Sequence, residues 1–251
     1  MTPQRFTEIL TAGCRLAAHP FNARARSLAL LALENPPGLF QPEPTTAPDR
    51  YPELFRFARA QLHDAPQTRL LSFGCSTGEE VFSLRRYFPL AQIKGLDANR
   101  RNIAECLRRL DGLASRAGLA FETASSPVRE PECAYDAVFA MAVFRHGGLN
   151  GAPLRCDHLI RFADFDACVA ALARLLKPGG LLILRHANFR FSDTRVAQGF
   201  TRTFAARAPA DGKRPPIYGP DDKLAPLATG DDGVFEKRSD AAQSDTDAAR
   251  R

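Results

Sequence analysis

The chain has 251 residues, 45% of them hydrophobic and 25% charged, with a net charge of +6; that length suits one globular domain with modest appendages. No apolar run approaches the ~18 residues that cross a bilayer, and the first residues lack a secretory signal's order of basic, apolar and small positions, so a cytoplasmic protein with no membrane partner is expected. Six cysteines, at 14, 75, 106, 133, 156 and 168, form no CxxC pair and no zinc spacing, and the five histidines are scattered, so no metal is expected.

An N-terminal helical segment, residues 1–41, carries apolar positions at Phe6, Ile9, Leu10, Leu16, Leu28, Leu31 and Leu33 and stops at the proline-rich stretch NPPGLFQPEPTTAP. Pro52 to Leu62 reads as a helix with Leu54, Phe55, Ala58 and Leu62 on one face. From Arg69 the pattern becomes strand Arg69–Gly74, helix Glu79–Phe88, strand Ala91–Asp97, helix Arg100–Leu110 and strand Gly118–Thr123. Alternation at that spacing predicts a parallel sheet covered by helices.

A fourth strand, Ala134 to Met141, leads into a long loop, Arg145 to Phe162, whose glycines and arginines at 145, 155 and 161 suit a lid over an anionic or sugar-like acceptor. An amphipathic helix, Asp164 to Leu176, is stopped by Lys177-Pro178-Gly179-Gly180, and Leu181 to His186 is a fifth strand. Beyond Asn188 the pattern weakens; Ile217-Tyr218 and Val234-Phe235 are predicted to close the sheet as an antiparallel hairpin, and residues 239–251 to form a disordered tail. The fold class is therefore α/β: a Rossmann-like, doubly wound, mostly parallel sheet with helices on both faces, spanning residues 42–238.

The richest stretch is RLLSFGCSTGEEVFSL at 69–84, a strand that runs into a small-residue turn and then a helix. Gly74, Ser76, Thr77 and Gly78 keep side chains back so that amides can face a charged ligand. Asp97 ends the second strand at roughly the ~20-residue spacing at which a nucleotide-binding βαβ unit holds a ribose. The plainer role for Asp97 is to cap the following helix, which Asn99 could equally do. His146, just past the fourth strand, is the candidate general base, against the plain role of a histidine bonded to backbone at a strand end. The arginines lie in pairs at 24/26, 85/86, 100/101 and 108/109 over several helices and read as solvated faces, with no RNA-module aromatic signature beside them, so nucleic acid is not an expected partner.

These motifs resemble the class I S-adenosylmethionine-dependent methyltransferases, and within them the CheR-type chemoreceptor methyltransferases. The likeness lies in GCSTGEE at 74–80, in PDRYPELF at 48–55 before it, and more generally in GLDAN at 95–99 and LLKPGGLLILRHAN at 175–188. It implies S-adenosyl-L-methionine as cofactor, with Gly74, Ser76, Thr77 and Gly78 around its methionine portion, Glu79 near its ammonium, Arg50 closing from the N-terminal side, Asp97 on the ribose hydroxyls and Ser125 near the adenine. The segment AMAVFRHG at 140–147 departs from the CheR pattern, with Ala142 and His146 in place of asparagine and tyrosine. Methyl transfer to a small-molecule or biosynthetic acceptor is thus the expected function; the alternatives are a CheR-type protein-glutamate O-methyltransferase and a non-catalytic S-adenosylmethionine-binding regulatory domain.

Overall fold

β1 (Arg69–Phe73) is buried from Leu70 onward, as a central parallel strand must be when helices cover both of its faces. The computed structural model describes residues 22–34, 36, 38–43, 46–207 and 214–239. The first part of the expected N-terminal helix and the expected tail after Ser239 lie outside them. Within the described residues, α1 (Ala23–Glu34) and α2 (Pro52–Gln61) precede β1. Then follow α3 (Glu79–Tyr87), β2 (Gln92–Asp97), α4 (Arg100–Asp111), β3 (Leu119–Thr123), β4 (Tyr135–Met141), α5 (Phe162–Leu175), β5 (Leu176–Arg185), β6 (Phe200–Ala205) and β7 (Gly233–Lys237).

The seven strands are ordered β3-β2-β1-β4-β5-β7-β6, parallel from β3 to β5. β1 lies between β2 (Leu70 beside Ile93) and β4 (Leu71 beside Val138), so the chain leaves β1 toward one side and later returns to the other. That reversal opens a crevice at the carboxyl ends of β1 and β4, the place where open α/β sheets bind ligands.

Side-chain alternation divides the interior in two. Leu70, Ala137, Phe139, Leu181 and Ile183 pack with Leu54, Phe55 and Ala58 of α2, Val81 and Leu84 of α3, and Ile103 and Cys106 of α4. Leu71, Phe73, Val138, Ala140, Leu182 and Leu184 face the other way, onto Phe165, Val169 and Leu172 of α5 and onto Phe144, Phe189 and Phe191 from the connecting loops. No described helix is long and apolar enough to cross a membrane.

The sheet closes with an antiparallel hairpin, but its first strand is not the one expected. Val234 and Phe235 lie in β7, which pairs with β5 on one side and with β6 on the other. Ile217-Tyr218 form no strand; Tyr218 makes a single bridge to Leu224, and its hydroxyl donates to the Pro153 carbonyl at 3.0 Å. β6 escapes detection because it is an edge strand whose only buried residue is Phe200, which leaves little apolar alternation to read. β5 also begins earlier than predicted, at Leu176, so Lys177-Pro178-Gly179-Gly180 lie within it, where its register against β4 shifts.

Candidate active site

A cleft of about 310 Å³ lies at the crevice, within the ~300–1,000 Å³ usual for small-molecule sites. Phe73, Gly74 and Ser76 form its floor, Asp97, Ala98, Asn99 and Asn102 one end, Ala124 and Ser125 the third-strand side, and Met141, Ala142, Val143, Arg145, Gly147 and Asn150 the fourth-strand side. Of the residues singled out from sequence, Arg50, Gly74, Ser76, Asp97 and Ser125 line this cleft. Thr77, Gly78, Glu79 and His146 are absent from its walls.

Asp97 anchors one end. Its Oδ1 accepts from the Asn99 amide at 2.8 Å and from Asn102 Nδ2 at 3.0 Å, and its Oδ2 from the Ser76 amide at 2.8 Å. A carboxylate has about four acceptor sites, so one on Oδ2 is open toward the cleft. Burial raises the Asp97 pKa, and the bonds from Asn99, Asn102 and Ser76 hold it back. Asn99 supplies the cap of α4, with Oδ1 accepting from the Arg101 amide at 3.0 Å, so Asp97 is not needed for that task.

The turn itself corrects an expectation. The Gly74 and Cys75 amides both donate to the Leu96 carbonyl at 2.8 Å, the Ser76 amide to Asp97, and the Gly78 amide to the Cys75 carbonyl at 3.0 Å. The Gly74, Cys75 and Ser76 amides thus tie the crossover to β2, and the Gly78 amide closes the turn on itself, so these four are engaged within the fold. Ser76 lines the cleft, and its Oγ is buried and makes no hydrogen bond.

Glu79, expected near the cofactor's ammonium, does not line the cleft. Glu79 pairs with Arg109 Nη1 at 2.7 Å, away from the cleft. Glu80 instead lines a smaller recess of about 30 Å³ behind the floor, together with Arg50, Tyr51, Gly74, Ser76 and Met141. Its Oε1 accepts from Ser72 Oγ at 2.7 Å. Burial pushes the Glu80 carboxyl up to about 7, against the Ser72 bond and the positive charge of Arg50. Tyr51, held up to about 12 mainly by burial, presents a second buried hydroxyl without a partner.

His146 serves the loop after β4. Its Nδ1 accepts from the Gly148 amide at 3.1 Å, capping the short helix 147–149, and its own amide donates to Asn188 Oδ1 at 2.8 Å. Burial lowers its pKa, with a smaller contribution from His158. Of the three loop arginines only Arg145 reaches the cleft, steadied by Asn150 Oδ1 at 2.9 Å; Arg155 pairs with Asp157 and Arg161 with Asp164. Cysteine chemistry is disfavoured here, because a hydrogen bond with Cys106 and burial raise the Cys75 thiol well above its usual range.

A whole wall went unread in the sequence. Leu31 of α1 and Gly38, Leu39, Phe40, Gln41, Pro42 and Glu43 of the proline-rich stretch roof the cleft. Phe40 is 3% exposed and meets the Phe144 ring edge-on at 5.0 Å. Asn99 Nδ2 donates to Ser27 Oγ at 2.8 Å, and Glu34 pairs with Arg100 and Arg101, which fastens α1 to the start of α4. Prolines mark a helix break in sequence, but nothing local says that the broken segment folds back over the sheet.

Residues 71–182 match the family described as a methyltransferase domain. In the fold, that match runs from β1 into β5, across the parallel part of the sheet. Among curated proteins, the chain is 34% identical over 126 residues to trans-aconitate 2-methyltransferase of Methylobacterium nodulans, covering 50% of this chain and 41% of that protein. It is 25% identical over 194 residues to the trans-aconitate 2-methyltransferase of Deinococcus radiodurans, covering 69% and 66%. The chain thus spans less than two thirds of the length of either relative. Among solved structures, a geranyl diphosphate C-methyltransferase from Streptomyces coelicolor superposes with a TM-score of 0.40 at 16% identity, covering 53% of this chain and 43% of that one.

Proposed function

We propose that this protein transfers the methyl group of S-adenosyl-L-methionine to a small-molecule acceptor, with a carboxylate oxygen as the favoured nucleophile. The observation that carries the reading is Asp97 at the tip of β2, with one acceptor site open to a cleft whose floor holds the unpartnered Ser76 hydroxyl. The match of residues 71–182 to a methyltransferase domain and the names of the two curated relatives support it.

The residues present fit the cofactor's chemistry. Asp97 would accept from a ribose hydroxyl, and Ser125 lies on the wall where the adenine would rest. Arg50, which also lines the cleft, and Glu80, in the recess behind its floor, are opposite charges that would meet the carboxylate and ammonium of an amino-acid tail lying in the cleft at the mouth of that recess. Bound there, the cofactor supplies a methyl group on a positively charged sulfur.

The chain's own part is then alignment and exclusion of water more than acid-base work. Arg145 holds an anionic acceptor on the fourth-strand side, and the roof from Gly38 to Glu43 keeps solvent out. Among the described residues the cleft wall carries no histidine. A carboxylate is already ionised at neutral pH and needs no base to act as a nucleophile. His146, on this reading, positions the loop that bears Arg145.

Two alternatives keep the same site. The CheR-like motif suits a protein glutamate, also a carboxylate, as acceptor, and a regulatory domain would bind the cofactor without turnover. The test is calorimetry with S-adenosylhomocysteine, followed by incubation of methyl-labelled cofactor with trans-aconitate, other small polycarboxylates and a protein extract. Label in a small ester supports the reading, and label in protein selects the CheR-type alternative. Binding without transfer selects the regulatory one, and absence of binding overturns all three.

A further inference from the structure

A second, separate cavity of about 50 Å³ lies at the carboxyl end of β5, lined by Arg185, His186, Ala187, Arg214, Gly230 and Asp232 among others. The Arg185 side chain is more than nine-tenths buried there. Its Nη1 donates to Asp232 Oδ2 at 3.1 Å and its Nη2 to the Arg207 carbonyl at 2.7 Å, but its Nε is buried with no partner. Asp232 also accepts from the His186 amide at 2.9 Å, a contact made possible by the left-handed turn at His186, φ 54°. Asp232 and the Arg207 carbonyl thus fix the guanidinium through its two terminal nitrogens, and Nε is left buried without a partner.

We infer that this cavity is an anion-binding subsite that takes a single carboxylate group through Arg185 Nε, with Arg214 at its mouth. Its lining carries two guanidinium groups against the one carboxylate of Asp232, which leaves an excess positive charge. A planar edge of a guanidinium matches a carboxylate oxygen, and a buried charged donor without a partner is a position that a ligand satisfies. The volume admits a group the size of one or two waters, which excludes a nucleotide or a whole cofactor.

The subsite sits apart from the cleft and does not depend on the methyl-transfer reading. It is nevertheless close to it: the Arg185 carbonyl accepts from the amide of Ala142, a cleft-lining residue, at 2.7 Å, and the His186 ring lies 5.7 Å from that of Tyr51. The carboxylate therefore comes either from a free small anion or from one arm of a longer acceptor lying along the sheet edge.

The test follows the arginine Nε–Hε resonances of the full chain by NMR at constant ionic strength while sodium acetate, and separately sodium succinate, is added. One resonance, missing in Arg185→Lys, is expected to shift saturably with acetate. Arg214→Ala, a change at an exposed position, is expected to weaken that response roughly threefold to fivefold, as removal of a neighbouring surface charge does. Tighter binding of succinate than of acetate with S-adenosylhomocysteine present assigns the site to an acceptor arm, and equal binding assigns it to a free anion. A linear, unsaturated drift of the Arg185 resonance, or none at all, overturns the proposal whether or not the cofactor analogue binds.

Discussion

The Ser76 amide donates to Asp97 Oδ2 at 2.8 Å, so the first crossover and the tip of β2 form one hydrogen-bonded unit. The Gly74 and Cys75 amides reinforce it by sharing the Leu96 carbonyl, one residue before Asp97. The turn is thereby held in place before any ligand arrives, and the acid is presented with a fixed orientation. Ligand affinity at this point rests on preorganisation as well as contact.

Asp97→Asn keeps the shape of the side chain but removes its charge and one acceptor. Affinity for S-adenosylhomocysteine is expected to fall by about 1.5 to 3 kcal/mol, the range for a hydrogen bond to a charged group. 5′-Methylthioadenosine, which has the ribose but no amino-acid tail, should lose a similar factor. Calorimetry with both ligands checks this, and an affinity within a factor of two of the parent for both would show that Asp97 does not hold the ribose.

Most of the parallel sheet was legible because β1, β4 and the second half of β5 are largely apolar and β2 alternates, with helices of clear extent between them. The positions of Gly74 and Asp97 were legible for the same reason, since a strand end and a turn residue are local features. The choice between Glu79 and Glu80 was not. Neighbours on a helix point about 100° apart, and only the docking of α3 on the sheet decides which one faces the recess. β6 and the roof over the cleft stayed hidden for related reasons: β6 has one buried residue, and Phe40 meets Phe144 across about a hundred positions of chain.

Glu80 makes the protein sensitive to pH. Its carboxyl titrates at about 7 in the folded chain against an ordinary value of 4.5. The folded state thus holds a proton that the unfolded chain has released, and stability falls as pH rises between those values, by roughly 3 kcal/mol. Urea unfolding from pH 4.5 to 8 should show that slope, flattened in Glu80→Gln. Binding of an ammonium beside Glu80 requires the ionised form, so affinity for S-adenosylhomocysteine should rise from pH 6 to 8 in the parent and not in the variant. Parallel profiles for the two proteins would remove Glu80 from the recess's chemistry.

Gly74 has no room for a side chain. Its φ is 76°, and a Cβ there would lie 2.4 Å from Val143 Cγ2. Gly74→Ala should cost about 1 to 3 kcal/mol from backbone strain and overlap together. Adding Val143→Ala should relieve the overlap and leave the strain, so the double variant is expected to unfold at a higher denaturant concentration than the sum of the single effects. Simple additivity would mean that the two residues do not meet.

His146→Gln separates a positioning role from a catalytic one. A glutamine retains an acceptor for the Gly148 amide but no group that takes up a proton near neutral pH. If the ring only shapes the loop, kcat should change by less than about tenfold and its pH profile should keep the parent's form. Loss of roughly 10²-fold or more in kcat, the scale of general-base catalysis, together with loss of the profile's acidic limb, would make His146 the base.

Phe40 fastens the roof. It is buried against Phe144 and lines the cleft, while its described neighbours from Gly38 to Glu43 form no helix or strand. Phe40→Ala removes the ring and should cost about 3 kcal/mol if the roof stays in place over the cavity left behind. A roof that lifts instead exposes little further core, so global stability would fall by less while S-adenosylhomocysteine dissociates faster. Phe40→Leu, which keeps an apolar anchor, should restore most of the affinity. Chemical unfolding combined with stopped-flow dissociation rates resolves the two responses. A dissociation rate unchanged in Phe40→Ala would show that the stretch from Gly38 to Glu43 covers the cleft without controlling entry to it.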